Sequence, residues 1–443
     1  MILKTSGDFR QITRFYAPLA LQATAQALSH PLVAMVASRG YGGPVNLAGL
    51  AQSSTVMFFL GIFAIYYMTT GMVFAQTREG YQTFWRVCIG TGIGIVLIQT
   101  LLCIPQVSHL LFGRIIGLPP SIAQPAKITL LAAVPLQFLF FVRIPYQVAM
   151  YNGRATVRAS LATLGRIVLT AILSVVFSFI GWVGPIWAVV CLTIPVLLEL
   201  VISMLFARRF IYQLPPGTTP PAKARDIFNF NLPLAVGGFF LVFSVMILSA
   251  FIARAPEPER ILPIFFIAIS LANPVAYAAT RIQAVVLAFP PDASSESSTF
   301  RFAFVVGVIL GFLPLLFIFP GLIEFYYVTL QKLDPAHLGM VRVTAISLIT
   351  YPFAVALRAH SEGFAALNRK PMAVLAGHGM YMMMVIASGF LALVIGVPGY
   401  LIGPISLTLA SLASAYIIRV FLKWTHEKPL PVGQTTTAVG QVR

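Results

Sequence analysis

Three arginines lie inside long apolar segments of this sequence, where a charged side chain is hardest to accommodate. Arg143 lies in LQFLFFVRIPYQVAM, Arg281 in PVAYAATRIQAVVLAF and Arg358 in YPFAVALRAHSEGF. A charged arginine at the centre of a bilayer costs roughly 3 kcal/mol on insertion scales. Each guanidinium must therefore face a cavity or a partner, and its planar fork of N–H donors suits a carboxylate or a phosphate.

The composition indicates that these segments cross a membrane. The chain has 443 residues, of which 58% are hydrophobic and 9% charged, and its mean hydropathy is +0.90. Its apolar runs of about 20 residues or more are long enough to span a hydrocarbon core of roughly 30 Å as helices. The alternating polarity of β-barrel strands is absent. We therefore predict an all-α polytopic membrane protein.

The apolar runs divide into twelve predicted spans. They are 12–38, 46–76, 84–104, 127–151, 157–180, 183–209, 227–253, 261–289, 302–322, 339–367, 372–395 and 398–423. With the N-terminus inside, 19 Lys and Arg residues fall on the inner side and 7 on the outer side, Arg166 being one of the inner residues. Because basic loops stay on the cytoplasmic side, we expect both termini in the cytoplasm. We expect the protein to lie in the inner membrane of the cell. The same bias explains the net charge of +17 without nucleic acid.

An internal repeat relates the two halves of the chain. FYAPLA at 15–20 recurs as FNLPLA at 230–235, an offset of 215, and Arg39 and Arg143 recur as Arg254 and Arg358 at the same offset. The match of several features at the same offset indicates a duplicated six-helix unit. Two such units in parallel are related by a pseudo-twofold axis along the membrane normal and hold substrate between them.

The repeat and the composition predict four segments and a central cavity. We expect an N-terminal six-helix bundle at 1–213, a Pro- and Gly-rich cytoplasmic linker at 214–225, a C-terminal bundle at 226–425 and a flexible tail at 426–443. Arg143 lies nine residues before Asn152, and Arg358 lies ten residues before Asn368. Each asparagine belongs to a turn that also contains basic residues. At about 1.5 Å per residue both arginines lie close to the midplane, and we expect them to face each other across the axis.

A structural role for these arginines stays open. Arg358 and Glu362 are four residues apart, so they can pair along one helix face. Arg143 can cap a broken helix or bind backbone carbonyls, and Glu199 is a lone acid that can partner an arginine. The anion site is favoured because the predicted spans hold more arginine than acid.

Further polar residues extend the predicted substrate site. Gln22, Gln26 and His30 share one face of the first span. His360 follows Arg358 by two residues and points about 200° away on a regular helix, so it serves either as a ligand or as a helix-stabilising residue. The predicted site comprises Gln26, His30, Arg143, Asn273, Tyr277, Arg281, Arg358, His360 and Glu362.

Several of these segments resemble one protein family. RFYAPLA at 14–20, AAVP at 132–135, NPVAYAATRIQAV at 273–285 and YPFAVALRAHSEGF at 351–364 are similar to the progressive ankylosis protein family. That family lies in the multidrug/oligosaccharide-lipid/polysaccharide exporter superfamily. The resemblance implies export of small polyanions, with citrate, pyrophosphate and nucleoside triphosphate as candidate substrates.

The predicted function is therefore a transporter for a small polyanion, acting as a monomer among membrane lipids. Each negative charge leaving an inside-negative cell gains about 2.3 kcal/mol per 100 mV, so efflux needs no ATPase. The sequence has no P-loop, metal-ligand cluster or nucleophile elbow, and we expect no cofactor and no enzymatic activity. The alternatives are a flippase for an anionic lipid-linked precursor, a membrane-embedded transferase for a lipid-linked group, and a scaffold.

Overall fold

The structure of the protein is a computed structural model that describes residues 9–26, 29–41, 43–217, 220–290, 296–330 and 335–427. These residues form helices and connecting turns, without a β-strand among them. The prediction of an all-α polytopic fold is confirmed.

The first half of the chain contains ten α-helices. They are α1 (Phe9–Gln26), α2 (Ser29–Ser38), α3 (Pro44–Leu60), α4 (Ile62–Phe74), α5 (Arg78–Leu102), α6 (Pro105–His109), α7 (Pro120–Ala132), α8 (Val134–Asn152), α9 (Thr156–Ile180) and α10 (Pro185–Tyr212). A π-helical turn, Leu110–Ile115, follows α6.

The second half contains eight. They are α11 (Ala224–Ile252), α12 (Pro258–Thr280), α13 (Ile282–Ala288), α14 (Glu296–Phe312), α15 (Leu338–Ser347), α16 (Thr350–Leu367), α17 (Pro371–Ile395) and α18 (Gly399–Glu427). Short 3₁₀ and π turns at Leu313–Ile318, Glu324–Leu330 and Pro335–His337 connect α14 to α15. The predicted tail, 426–443, lies outside the described residues beyond Glu427.

The described helices are compatible with twelve spans. Within the described ranges, nine stretches are long and apolar enough to cross a membrane. The pair α7 and α8, bent by 42° at a break between them, makes a tenth. The two other predicted spans, 12–38 and 261–289, correspond to α1 with α2 and α12 with α13.

The 215-residue repeat recurs in the backbone. Helices α9 and α17 have 25 residues each, and both their first and their last residues are 215 positions apart. The residues that end these helices, Gly181 and Gly396, have φ angles of 79° and 78°. The turns that precede the helices contain Arg154 and Arg369, whose φ angles are 54° and 53°. Because positive φ is uncommon outside glycine, matching pairs at one offset support a duplicated unit.

Several predicted spans are broken rather than continuous. The second is interrupted at Gly61, the eighth at Arg281, and the tenth between α15 and α16. At the break in the eighth span, the Arg281 N–H donates to the Ala278 carbonyl at 3.1 Å, so the chain leaves α12 through a tighter turn. Interrupted helices inside membranes are tolerated where they line a cavity or are buried in protein.

Aromatic rings form much of the contact between the halves. The rings of Phe59 and Phe239 are 4.3 Å apart, and those of Phe74 and Phe230 meet edge to face at 5.2 Å. Across the other side of the interface, the Tyr16 hydroxyl donates to the Ala278 carbonyl at 3.0 Å. Aromatic pairs of this kind contribute about 0.5–1.5 kcal/mol each beyond the area they bury, so they help to hold the halves together.

The two left-handed glycines give a direct test of the repeat. Gly181→Ala and Gly396→Ala should each destabilise the protein by about 1–2 kcal/mol, because a Cβ is unfavourable in the left-handed region. Nothing lies within 4 Å of the added Cβ at either position, so strain is the only expected effect. The measurement is the midpoint of thermal unfolding in detergent.

The matched control is Gly90→Ala, an exposed helical glycine that also has open space around it. It should not destabilise the protein, since alanine is the better helix former. Equal effects of all three substitutions would contradict a conformational role for the two caps.

Candidate functional site

Glu199 is the centre of a buried charged cluster in the first half. Its side chain is fully buried, and it forms ion pairs with Arg143 from α8 and with Arg166 from α9, the latter at 3.3 Å. Gln147 donates to the same carboxylate at 3.2 Å, and the Thr163 hydroxyl donates to it as well. Arg166 lies ten residues into α9, so the cluster is about 15 Å from the start of that helix.

The cluster carries more positive than negative charge. Two guanidinium groups surround one carboxylate, and the Nε atoms of both Arg143 and Arg166 are buried without an acceptor. A buried ion pair is tolerated only when its charges and hydrogen bonds are satisfied. Sequence analysis counted Arg166 among the inner-side charges, and this was wrong: it is buried within α9.

Gln22 connects this cluster to α1. Its amide donates to Thr163 at 2.8 Å, and its carbonyl accepts from the Tyr151 hydroxyl at 3.3 Å. Gln26, the last residue of α1, is half-buried one turn further on. His30 belongs to α2, but its side chain lies outside the described residues.

Unlike Arg143, Arg166 and Arg358, Arg281 has no carboxylate partner among the described residues. It is half-buried at the break between α12 and α13, and its Nε is buried without an acceptor. Among the described residues no acid lies within ion-pair distance of it. It lies within electrostatic range of the hydroxyls of Tyr16 and Tyr151, and Tyr151 is also within range of Arg143. The second half therefore contributes a further positive charge beside the cluster of the first half.

Asn273 and Tyr277 precede Arg281 by eight and four residues, on one face of α12. Asn273 is half-buried and Tyr277 is 55% exposed. This face packs beside α1, where the Thr24 hydroxyl donates to the Pro274 carbonyl at 3.4 Å. The structure thus packs α12, which carries Asn273 and Tyr277 and is followed by Arg281, against α1, whose last residue is Gln26.

The second half has its own cluster, which is balanced in charge. Arg358 Nε lies 3.2 Å from Glu362 Oε1, so the pairing along one helix face that sequence analysis left open is present. His378 Nε2 lies 2.9 Å from the same oxygen, and the Arg358 guanidinium lies 5.0 Å from the centre of the Tyr381 ring. One guanidinium and one imidazole thus contact the single carboxylate of this cluster.

The two clusters occupy equivalent positions with different residues. At the offset of 215, the first-half residues Gln22, Arg143, Gln147, Thr163 and Arg166 correspond to Gly237, Arg358, Glu362, His378 and Tyr381. A Cβ on Gly237 would lie 2.5 Å from His378 Nδ1, so the missing side chain makes room for the larger imidazole. The duplicated frame is kept, while two arginines surround the carboxylate in the first half and one arginine does so in the second.

Each cluster is approached by a residue of the opposite half. Tyr66 in α4 corresponds to Arg281 at the same offset. The Tyr66 ring lies 6.4 Å from that of His378, and Tyr66 packs directly on Gly238. Arg281 occupies the corresponding place beside the first cluster. A movement of one half against the other therefore alters the surroundings of both clusters.

His360 does not join Arg358. Its Nε2 lies 3.2 Å from the Thr299 hydroxyl, and its Nδ1 lies 3.4 Å from an Arg419 nitrogen. Helix α16 is continuous from Thr350 to Leu367, so the two side chains point to different faces. Arg143 and Arg358 likewise have separate partners, each in its own half.

Two cation–π contacts join the halves at one end of the molecule, which is called the closed end below. The Arg154 guanidinium lies 4.2 Å from the centre of the Phe289 ring and donates to the Ala288 carbonyl at 2.9 Å. The Arg369 guanidinium lies 5.1 Å from the Phe74 ring. Both contacts cross between the halves, and both their arginines and their phenylalanines are 215 positions apart. The lysine and arginine distribution predicts this end to be cytoplasmic.

Removing the carboxylate of the first cluster should destabilise the protein. Glu199→Gln keeps the size of the side chain but leaves two buried guanidinium groups without a counter-charge, at an expected cost of about 3–5 kcal/mol. Adding Arg166→Gln should restore part of that loss, because it removes one of the two guanidinium charges that lack a counter-charge. Thermal unfolding of the two variants measures this, and a double variant as unstable as Glu199→Gln alone would contradict the electrostatic explanation.

Weakening the closed end should open it. In Phe74→Ala the ring opposite Arg369 is lost, and we expect the distance between spin labels on Val157 and Met372 to lengthen or broaden. Both label sites are about half exposed, and they are equivalent positions at the starts of α9 and α17. Arg208→Ala is the control, since its guanidinium stacks on Tyr212 of its own helix. An unchanged distance distribution in Phe74→Ala would contradict a closing role.

Solved structures with this arrangement of helices are membrane transporters. A MOP superfamily transporter from Pyrococcus furiosus aligns with 95% of this chain and 97% of its own, at a TM-score of 0.72 and 14% identity. An outward-facing multidrug resistance MATE family transporter of the same superfamily gives a TM-score of 0.75 at 14% identity, over 96% and 99% of the two chains. A eukaryotic MATE transporter gives 0.70 at 14% identity, over 94% and 95%.

No protein-family model and no curated protein matches the sequence. At these identities the comparisons establish the architecture: the chain has the fold of MOP superfamily transporters over nearly its whole length.

Proposed function

We propose that this protein is a membrane transporter that exports small polyanions by alternating access between its two halves. The observation that carries the proposal is Arg281, a half-buried guanidinium without a carboxylate at a helix break, beside a cluster that already has a positive excess. An anion bound there would supply the missing counter-charge.

The charge balance supports an anion over a cation. Among the described residues of the two clusters and of the break between α12 and α13, four arginines (Arg143, Arg166, Arg281 and Arg358) accompany two carboxylates (Glu199 and Glu362), so arginines outnumber carboxylates by two. Unbalanced charge inside a membrane is costly, and an excess of one sign favours a ligand of the other. Citrate, pyrophosphate and nucleoside triphosphates carry several negative charges in a compact group.

The first half is the side of the site that we expect to bind the anion. Arg281 and Arg143 can each present two parallel N–H donors to a carboxylate or phosphate. Gln22, Gln147 and the Tyr151 hydroxyl surround the same region as neutral hydrogen-bonding groups. The Arg358–Glu362 pair is already neutral, so its contribution to anion binding should be smaller.

The bound anion would compete with Glu199 for Arg143, and this competition links binding to movement. When the halves separate at one end, Arg281 moves relative to the Glu199 cluster because the two belong to different halves. The cation–π contacts of Arg154 and Arg369 close the end predicted to be cytoplasmic, which leaves the opposite end to open. Outward release of a trianion would gain about 7 kcal/mol at 100 mV.

The likeness to solved transporter structures supports a membrane transporter, and the sequence resemblance to the progressive ankylosis family supports an anionic substrate. In the Pyrococcus furiosus transporter, the reversed polarity of the binding pocket suggests a different function. We propose that pocket polarity also sets the substrate of this chain, as a member of the progressive ankylosis family within the same superfamily. We further propose a monomer in the cell membrane, with two six-helix bundles and both termini cytoplasmic.

Arg281→Gln should reduce anion efflux on the order of tenfold or more, because the loss of one charge-assisted hydrogen bond costs about 1.5–3 kcal/mol. The measurement is efflux of radiolabelled citrate, pyrophosphate or ATP from proteoliposomes at a set membrane potential. Arg254→Gln is the control, since Arg254 is exposed and bonds only its own helix end, at the Ala250 carbonyl.

Arg358→Gln should have a smaller effect than Arg281→Gln. If folded wild-type protein moves none of the three anions, the proposal is wrong and the flippase for an anionic lipid-linked precursor becomes the better account. If Arg281→Gln and Arg254→Gln behave alike, the anion is not held at Arg281.

A further inference from the structure

A separate cavity lies at one corner of the closed end, outside the site described above. It has a volume of about 450 Å³ and lies between the α8–α9 turn and the last turn of α10. Arg154, Arg158 and Arg209 line it, together with Phe210 and Gln213. Arg154 follows Arg143 by eleven residues, so the cavity is at the helix ends and not at the depth of Glu199.

The cavity gathers positive charge without a counter-charge. No acidic residue lines it, and among the described residues none forms an ion pair with its three arginines. The Arg158 guanidinium lies 5.4 Å from the centre of the Phe210 ring, which fixes its direction over the cavity. Three guanidinium groups around one space repel one another, and an anion between them would remove that repulsion.

The local backbone brings these groups together. A Cβ on Gly153 would lie 2.4 Å from the Phe210 ring, so glycine is what lets the turn pack directly on α10. Helix α9 begins at Thr156, and the N–H groups of its first turn and its dipole favour an anion at the same corner. Partial burial lowers the pKa of Arg154, as expected for a guanidinium that loses water without gaining a carboxylate.

The duplicated fold does not require this cluster. At the offset of 215, Arg158 and Arg209 correspond to Ala373 and Trp424 at the equivalent corner of the second half. The equivalent corner is also basic, with Arg369 matching Arg154 and with Lys370 and Lys423 nearby in the sequence, but the set of three arginines lining one cavity belongs to the first half. Basic residues that serve only to orient the chain in the membrane can lie at either corner. Three arginines around a single cavity are more than that role needs, and they indicate a ligand.

We propose that this cavity binds a phosphate group, and that the phosphate is the headgroup of an anionic phospholipid. Arginine forks bind phosphate bidentately, and basic pockets between helices at the cytoplasmic surface bind acidic lipid headgroups. Val157 lines the cavity and is 54% exposed, and Leu161 lies one turn further along α9 with the same exposure. Such exposed apolar surface next to the cavity can contact acyl chains, which favours a lipid over a free phosphate.

A lipid at this site would also stabilise the closed end. Arg154 donates one N–H to the Ala288 carbonyl of the opposite half, and its remaining donors are available on the cavity side. A phosphate held by Arg154 would fix the guanidinium in the orientation that stacks on Phe289. The site thus connects the composition of the membrane to the equilibrium between closed and open ends.

The test uses purified full-length protein in detergent and does not depend on transport. Phosphatidylglycerol is added, with phosphatidylcholine as the neutral comparison, and the midpoint of thermal unfolding is measured against each variant's own lipid-free value. The wild type should be stabilised by phosphatidylglycerol only. Arg158→Gln and Arg209→Gln should lose that shift, while Arg208→Gln, the adjacent arginine that stacks on Tyr212, should keep it.

Native mass spectrometry of the same samples counts bound lipid, and it should show one tightly held phosphatidylglycerol that Arg158→Gln and Arg209→Gln lose. Equal loss in Arg208→Gln, or no lipid-specific shift in the wild type, would overturn the proposal. If inorganic phosphate alone produces the full shift and phosphatidylglycerol adds nothing, the lipid assignment is overturned and the cavity is a site for soluble phosphate.

Discussion

The cost of unbalanced charge inside a membrane is the constraint on which this structure depends. Glu199 and Glu362 are buried because each has basic partners, and Arg143, Arg166 and Arg358 are tolerated because each has a carboxylate. Arg281 is the exception, and it lies where the two halves meet. A fold that gives Arg143, Arg166 and Arg358 a carboxylate partner has little reason to leave Arg281 unpaired unless a mobile anion completes the balance.

Duplication explains how one frame came to hold two different clusters. The helix ends, the left-handed glycines and the closing arginines repeat at an offset of 215, so the backbone is nearly the same in both halves. The side chains around the two clusters differ in a concerted way. Gln22 contacts Thr163 in the first half, whereas Gly237 makes room for His378 at the equivalent positions of the second half. The result is one cluster with two arginines to its carboxylate and another with one, in halves that are joined by aromatic contacts.

Much of this architecture could be predicted from the sequence, because hydropathy and the repeat are properties of the chain itself. The helical class follows from hydropathy and the repeat from residue spacing, while the depth of Arg143 and Arg358 in the membrane stays a prediction. The partners do not: Arg166 looked like a surface charge, and neither its pairing with Glu199 nor the place of His378 could be anticipated. Such contacts join different helices, and they depend on helix rotation and packing. The two-residue spacing from Arg358 predicted the direction of His360 on a regular helix. Helix α16 is regular there, and His360 points away from Arg358 towards Thr299.

The most direct test of the central claim is equilibrium binding of radiolabelled pyrophosphate and citrate to the purified protein in detergent, for the wild type and for Arg281→Gln. The account predicts saturable binding at one site per chain, weakened on the order of tenfold or more in Arg281→Gln and reduced by salt. Absence of saturable binding of either anion to folded wild-type protein, or equal affinity in the variant, would contradict it.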